Sequence, residues 1–148
     1  MSATDEVLRA LGEHALEAGH KMFDNLAQQE TLAATGLTYE EWYRGLVELR
    51  SQALVQMRDY DGNVALLALT QVGVWAYATR FRPELADLTE RLLDTLDGTE
   101  ANVALALGAE LGESPLLVEA VLDHLAGRRM VVYSRVGRDS FRIHRFSI

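Results

Sequence analysis

The 148-residue chain has no cysteine, two prolines and a single lysine. Without cysteine it cannot form disulfides, thiolate nucleophiles or zinc–thiolate sites, and this composition fits a reducing compartment. Apolar runs such as Leu66–Leu69 have the length of a core strand and not that of a membrane span. The acidic start, Met1–Glu6, lacks the pattern of a signal peptide. The sequence therefore predicts a cytoplasmic protein with no membrane partner.

Positive charge is scarce and unevenly distributed. Residues 1–127 carry 8 basic and 21 acidic groups, a net charge of −13, whereas residues 128–148 carry six arginines and one acid, a net charge of +5. An acidic body repels nucleic acid and membrane surfaces at long range, while a compact basic segment attracts phosphate locally. Any contact with nucleic acid is therefore expected at the C-terminal end of the chain.

Sequence patterns typical of catalysis are also missing. The chain has no Ser-His-Asp order, no glycine-rich phosphate loop and no paired-carboxylate pattern of acid–base catalysis, so we predict a non-enzymatic protein without catalytic residues or cofactors. Glu17, His20 and Asp24 have helical spacing and would in principle suit a metal ion. Surface helices carry many such groups, so a solvated face is the favoured interpretation and no metal site is predicted.

The most informative positive signal is an internal repeat at an offset of 76 residues. Each copy contains a small residue, a glycine and a hydroxyl residue, followed by apolar positions at steps of four, four and three and then by an apolar pair. This order predicts a turn between two helices, a capped helix with one buried face and the first strand of a hairpin. The equivalent positions are Ala33 and Ala109, Gly36 and Gly112, Thr38 and Ser114, Trp42 and Val118, Leu46 and Leu122, Leu49 and Leu125, Leu54 and Met130, and Val55 and Val131.

Turn and cap residues extend this prediction along the chain. We predict a first helix from Thr4 to about Leu26 that buries Met22 and Leu26, and a hairpin around Asp61-Gly62. Thr70 is expected to cap a helix that ends at Pro83. Thr99 is expected to begin another helix, with Val103, Leu107 and Leu111 on its buried face.

The repeat, the turns Asp61-Gly62 and Gly137-Arg138, and the segment Leu69–Gly73 resemble the winged helix-turn-helix superfamily. The resemblance covers most of the chain and implies a mainly α fold with small β-hairpins (α+β), built from tandem winged-helix domains that are joined by helices. The implied boundaries are 1–70 for the first domain, 71–83 for a connecting helix and 84–148 for the second domain. This fold serves many tasks, so the resemblance is specific for structure rather than function.

In DNA-binding members of this superfamily, the helix after the turn enters the major groove and the hairpin, or wing, meets phosphate or the minor groove. In the first copy Tyr39, Tyr43 and Arg44 are candidate DNA contacts, beside the acidic pair Glu40 and Glu41. In the second copy the corresponding positions are apolar and acidic, which is unsuited to reading bases. These positions are Pro115, Leu116, Glu119, Ala120 and Asp123.

The second wing carries the basic residues that the helices lack. Its arginines are Arg135, Arg138, Arg142 and Arg145. On a strand, Arg138 and Arg142 would share a face, so they can point together at a duplex. The leading hypothesis is a non-enzymatic, DNA-associated regulatory protein similar to transcriptional regulators, associated with the nucleoid and contacting double-stranded DNA mainly through this wing. The arginines could instead pair with acids of the body in a solvated network.

A protein-binding adaptor is the alternative hypothesis, for example in a chromosome-organising or other multiprotein complex. We expect Leu116 or Leu117 to be exposed at the start of the last helix, with Glu119 and Asp123 around this apolar patch. A homodimer is also common for the resembled fold, and the candidate contact surfaces are the terminal helix and the apolar helix around Trp75 and Phe81.

Overall fold

The structure is a computed structural model that describes residues 1–96, 101–103, 111–128, 131–135 and 140–145, with side chains for 1–94 and 111–128. The residues cluster into two compact units, Met1–Phe81 and Arg82–Ile148. The described part of the chain is mainly helical with small antiparallel sheets, which is an α+β fold. Within it, no helix combines the length and the apolar character that crossing a bilayer requires.

Four helices and one hairpin form the first unit. In chain order they are α1 (Ala3–Ala18), α2 (Asn25–Thr35), α3 (Tyr39–Ser51), β1 (Val55–Tyr60), β2 (Asn63–Leu69) and α4 (Gln71–Phe81). Helix α1 contacts α2, α3 and α4, so it lies at the centre of the unit. Trp42, Leu46 and Leu49 of α3 are each no more than 1% exposed. Burial of a leucine contributes about 1.5–3 kcal/mol, so this repeated stripe is a main source of stability.

The first helix is shorter than predicted, and its cap is Ser2 rather than Thr4. It ends at Gly19, whose φ of +79° is a left-handed conformation that glycine adopts without strain. The next residues pair with β2: Phe23 N–H donates to Leu67 O at 2.9 Å, and Leu69 N–H donates to Lys21 O at 2.8 Å. Met22 and Leu26, which were predicted to be buried on α1, are 51% and 64% exposed.

The turn between α2 and α3 forms as the repeat predicts. Gly36 follows α2 with φ +69°, and Thr38 caps α3 by accepting a hydrogen bond from Glu41 N–H at 3.2 Å. Glu41 accepts in return from Thr38 N–H at 3.1 Å, which completes a capping box. The hairpin turns at Asp61-Gly62, both with positive φ, as tight turns of this kind require.

Helix α4 belongs to the first unit, because it packs on α1. Thr70 accepts from Gly73 N–H at 2.9 Å and so caps the helix, which ends at Phe81, before Pro83. A Cβ on Gly73 would lie 2.1 Å from Leu54 O, and a Cβ on Gly12 of α1 would lie 2.1 Å from the Tyr77 ring. The two glycines therefore allow α4 to approach β1 and α1 closely.

The second unit repeats part of this plan. Among its described residues, the elements are α5 (Leu85–Leu96), β3 (Ala101–Val103), α6 (Pro115–Gly127), β4 (Val131–Arg135) and β5 (Ser140–Arg145). Gly112 has φ +70°, and Ser114 precedes α6 as Thr38 precedes α3. The Ser114 hydroxyl makes no capping hydrogen bond within the described part of the chain, so the side-chain cap predicted at this position does not form. The equivalents of the α3 stripe, Val118, Leu122 and Leu125, are buried.

Strand β3 corrects the prediction of a helix beginning at Thr99. Residues 101–103 pair with β5, so the sheet has the order β3–β5–β4. In the first unit Met22 forms a single bridge to Ala68 of β2, at the corresponding edge of its sheet. Leu107 lies outside the described residues, and Leu111 is half-buried.

Candidate nucleic-acid interface

The exposed start of α3 holds the candidate contacts Tyr39, Tyr43 and Arg44. Two of them are engaged by the hairpin: Tyr39 Oη donates to Gly62 O at 2.7 Å, and Tyr43 Oη donates to Asp59 Oδ2. Arg50 Nη1, at the other end of α3, lies 3.4 Å from Asp59 Oδ1. The tyrosines therefore fasten α3 to the β1–β2 hairpin.

The contact between Tyr43 and Asp59 changes the acidity of both groups. The hydrogen bond from the phenol lowers the pKa of Asp59, helped by the charge of Arg50. The same hydrogen bond raises the pKa of Tyr43, because it favours the protonated phenol. Asp59 is therefore a carboxylate at neutral pH, and its negative charge lies at the surface where a phosphate-binding wing would need a positive one.

This contact predicts a pH-dependent contribution to stability. The pKa of an aspartate in the unfolded chain is about 3.9, and a carboxyl whose pKa is lower in the folded state stabilises the fold fully above that pH. The stabilisation is lost as the pH falls through the pKa of the folded state. Asp59→Asn should therefore reduce the free energy of unfolding more at pH 6 than at pH 3, as measured by urea unfolding. Asp61→Asn is the matched control, since it makes the same charge change at the turn. If Asp59→Asn reduced the free energy of unfolding equally at both pH values, the stabilising role of the Asp59 carboxylate would be contradicted.

Arg44 is the remaining basic candidate on this helix. Its Nη2 lies 2.7 Å from Glu40 Oε1, one turn earlier, and both side chains are 74% exposed. The hydrogen bond from Thr38 N–H lowers the pKa of the neighbouring Glu41. Two carboxylates thus flank one arginine, and the acidic pair would face the phosphates of any duplex that α3 approached. The described geometry disfavours base readout by the first copy.

The second copy corrects the prediction of an apolar surface patch. Leu116 is 8% exposed and Leu117 is fully buried. Helix α6 is buried around most of its circumference, with Val118, Ala120, Val121, Leu122 and Leu125 also in the core. Glu119 is half-buried and Asp123 is exposed, so only the polar part of the expected protein-binding patch lies at the surface.

The C-terminal hairpin is described through its strand pairing. Ser134 pairs with Arg142 and Val131 pairs with Arg145. Because residues alternate along a strand, Arg142 occupies the opposite face of the sheet from Arg135 and Arg145. Arg138 lies outside the described residues, so its predicted alignment with Arg142 stays a prediction. The three arginines of the described strands are therefore divided between the two faces of the hairpin.

The residues singled out for metal binding are not on one helix. Helix α1 ends at Ala18, His20 Nδ1 lies 3.0 Å from Met22 O, and Asp24 caps α2 by accepting from Ala27 N–H. Among the described side chains, no group of three potential ligands has the arrangement to hold a metal ion.

The sequence interpretation missed a groove of about 350 Å³ between α2, the start of α3 and the start of β2. Asn25, Gln28 and Gln29 line it from α2. Their spacing of three and four residues places three amides on one helix face, which is the only sequence signal that could have indicated it.

Comparison with known proteins adds no assignment, because no family model, no curated protein and no solved structure matches this chain.

Proposed function

We propose that this chain is a non-enzymatic, DNA-associated regulatory protein with two tandem winged helix-turn-helix domains, and that its C-terminal hairpin contacts the duplex. The order of elements in the first unit supports the fold proposal. A helix, a short bridging segment, two helices joined by a tight turn and a hairpin follow one another. The second unit has a short strand, a helix that begins with Pro115 and a hairpin at the equivalent places.

One observation carries the functional proposal: the basic residues are concentrated on the β4–β5 hairpin. Arg135, Arg142 and Arg145 lie on two directly paired strands, and Arg138 belongs to the segment that joins them. Residues 128–148 have a net charge of +5 in a chain whose remaining residues carry −13. Such a segment attracts phosphate over a short range while the acidic body limits how much of the protein approaches DNA.

The proposed contacts are to phosphate rather than to base edges. The α3 face is acidic and tied to its own hairpin, and the equivalent face of α6 offers a half-buried glutamate and an exposed aspartate. Base readout requires donors and acceptors aimed into a groove, whereas arginines on a hairpin suffice for backbone contacts. We therefore expect weak dependence on DNA sequence for the isolated protein.

Neutralising the hairpin arginines should abolish this binding. The variant with Arg135, Arg138, Arg142 and Arg145 replaced by glutamine should bind a random-sequence duplex about 100-fold or more weakly at low salt, because these contacts supply the electrostatic affinity. Fluorescence anisotropy of a labelled duplex measures the effect. The matched control replaces Arg58, Arg80, Arg82 and Arg91 and makes the same change in net charge. If both variants lose affinity equally, net charge and not the hairpin is responsible.

A protein partner is the second candidate function, favoured by apolar side chains at the surface of the first unit. Met22 is 51% exposed and bridges to Ala68, and Leu66, which is 38% exposed, lies two residues from Ala68 on the same face of β2. Exposed apolar groups on one sheet face are typical of contact surfaces. A folded protein that binds no duplex at low salt would favour this candidate.

A further inference from the structure

The groove beside α2 has a lining of unusual chemistry for a surface of this acidic chain. Four amide side chains contribute to it: Asn25, Gln28 and Gln29 from α2, and Asn63 from β2. Tyr39 and Trp42 of α3 supply aromatic surface, and no charged side chain is among the lining residues. Its volume of about 350 Å³ is within the range of small-molecule sites.

Trp42 provides the second, independent indication. It is 1% exposed, and its indole Nε1 has no hydrogen-bond partner among the described residues. A buried donor without a hydrogen-bond partner costs about 1–3 kcal/mol, so native proteins contain few such groups. The Tyr39 ring, 45% exposed, packs 5.7 Å from the Trp42 ring at 41°. Tyr39 is the more exposed of the two aromatic side chains, and one exposed hydrogen bond, from its hydroxyl to Gly62 O, holds it in place.

Gln28 fixes part of the polar geometry. It is 9% exposed, and its Nε2 donates to Phe23 O at 3.1 Å. This bond orients the amide and leaves the Oε1 lone pairs for another donor. A buried glutamine held in one orientation is a preorganised acceptor, which loses little entropy when a ligand binds.

We propose that the groove binds a small, neutral, flat heteroaromatic molecule that carries amide-type donors and acceptors, of the chemical class of nicotinamide or a free nucleobase. Tyr39 releases its exposed hydrogen bond to Gly62 O and moves aside, so that the ligand ring lies against Trp42. One ligand acceptor then receives the Trp42 Nε1 hydrogen, and the surrounding amides bind the polar edge of the ligand. The absence of charge in the lining, together with the net charge of −13 over residues 1–127, disfavours anionic ligands. This site lies in the first unit and does not depend on DNA binding by the C-terminal hairpin.

The indole N–H resonances in a ¹H–¹⁵N NMR spectrum test the proposal directly, because the chain has only two tryptophans. A Trp75→Phe variant assigns the two signals. Titration of the unmodified protein with nicotinamide, adenine and uracil should shift the Trp42 signal saturably for at least one probe, with a Kd at or below about 1 mM. The Trp75 signal should move much less. No saturable shift of the Trp42 signal by any of the three probes up to 10-fold above that concentration would overturn the proposal.

Two matched comparisons locate the site and define its charge preference. Gln29→Phe places a large side chain in the groove from an exposed position and should weaken binding at least 10-fold. Ala33→Phe, at an exposed position of α2 outside the lining, should leave binding unchanged. Nicotinate has the shape of nicotinamide with a negative charge and should bind at least 10-fold more weakly than nicotinamide if that amide binds. An equal loss of affinity in both phenylalanine variants would contradict the location of the site in the groove. Equal affinity for nicotinamide and nicotinate would contradict its preference for a neutral ligand.

Discussion

Replacing Gly73 with alanine is expected to destabilise the first unit by about 3 kcal/mol, at the upper end of the usual cost of overpacking. The added Cβ would lie 2.1 Å from Leu54 O and 2.9 Å from a Leu69 methyl. Leu54 O is a backbone atom that already accepts from Thr70 N–H at 3.0 Å, so it cannot move without disturbing the cap of α4. The helix must therefore shift away from the start of β1.

Other glycines of the same unit provide a graded comparison. At Gly12 the added Cβ meets the Tyr77 ring at 2.1 Å, and at Gly45 it meets one Val7 methyl at 2.8 Å. A side chain moves more easily than a carbonyl, and a methyl more easily than a buried ring. We expect the loss of stability to decrease in the order Gly73→Ala, Gly12→Ala, Gly45→Ala.

Tryptophan fluorescence during urea unfolding measures this series, because Trp42 and Trp75 both belong to the first unit. Gly127→Ala is the control: no atom lies within 4 Å of its added Cβ, and alanine is favoured over glycine in a helix. It should leave the fluorescence transition of the first unit unchanged. Equal stability of Gly73→Ala and the unmodified protein would contradict the close approach of α4 to β1.

Replacing Leu116 with aspartate is expected to unfold the second unit, with a loss of about 4 kcal/mol or more. Leucine truncation in a core costs about 2–5 kcal/mol, and burying a carboxyl in place of the methyl groups adds a desolvation cost. Leu116 is 8% exposed and neighbours the fully buried Leu117 and Val118. Since small domains have only about 5–15 kcal/mol of stability, a large fraction of the unit would be unfolded.

Circular dichroism and tryptophan fluorescence distinguish this outcome from the loss of a binding surface. The helical signal should fall while the emission of Trp42 and Trp75, both in the first unit, stays native. Leu116→Met conserves volume and should cost less than about 1.5 kcal/mol. A Leu116→Asp protein as stable as Leu116→Met would show instead that Leu116 is a surface residue, as the adaptor hypothesis requires.

Much of the local structure could be predicted from the sequence, because it depends on residues that are close along the chain. Gly36 and Thr38 predict the turn and cap between α2 and α3, and both have the expected conformation and hydrogen bonds. Asp61-Gly62 predicts the hairpin turn, and Pro115 begins α6 as predicted, although Ser114 before it makes no capping hydrogen bond. The 76-residue repeat works for the same reason, since each copy contains its own local signals.

The errors concern residues whose structure is decided by distant parts of the chain. Residues 21–23 and 101–103 were both predicted to be helical, yet each pairs with the second strand of its hairpin. Three residues are too few for a periodic pattern, so backbone pairing decides their conformation. Burial of Leu116 likewise depends on the packing of the whole unit. The groove could not be predicted because it combines α2, α3 and β2.

The salt dependence of duplex binding tests the proposed function most directly. Four phosphate contacts predict that log K falls against log salt concentration with a slope of about −3 to −4, so affinity drops about 100-fold between 50 and 200 mM salt. Fluorescence anisotropy with a random-sequence duplex should give this slope, and the variant lacking the four hairpin arginines should not. Absence of binding at the lowest salt concentration, or a slope that survives removal of those arginines, would contradict DNA contact by the C-terminal hairpin.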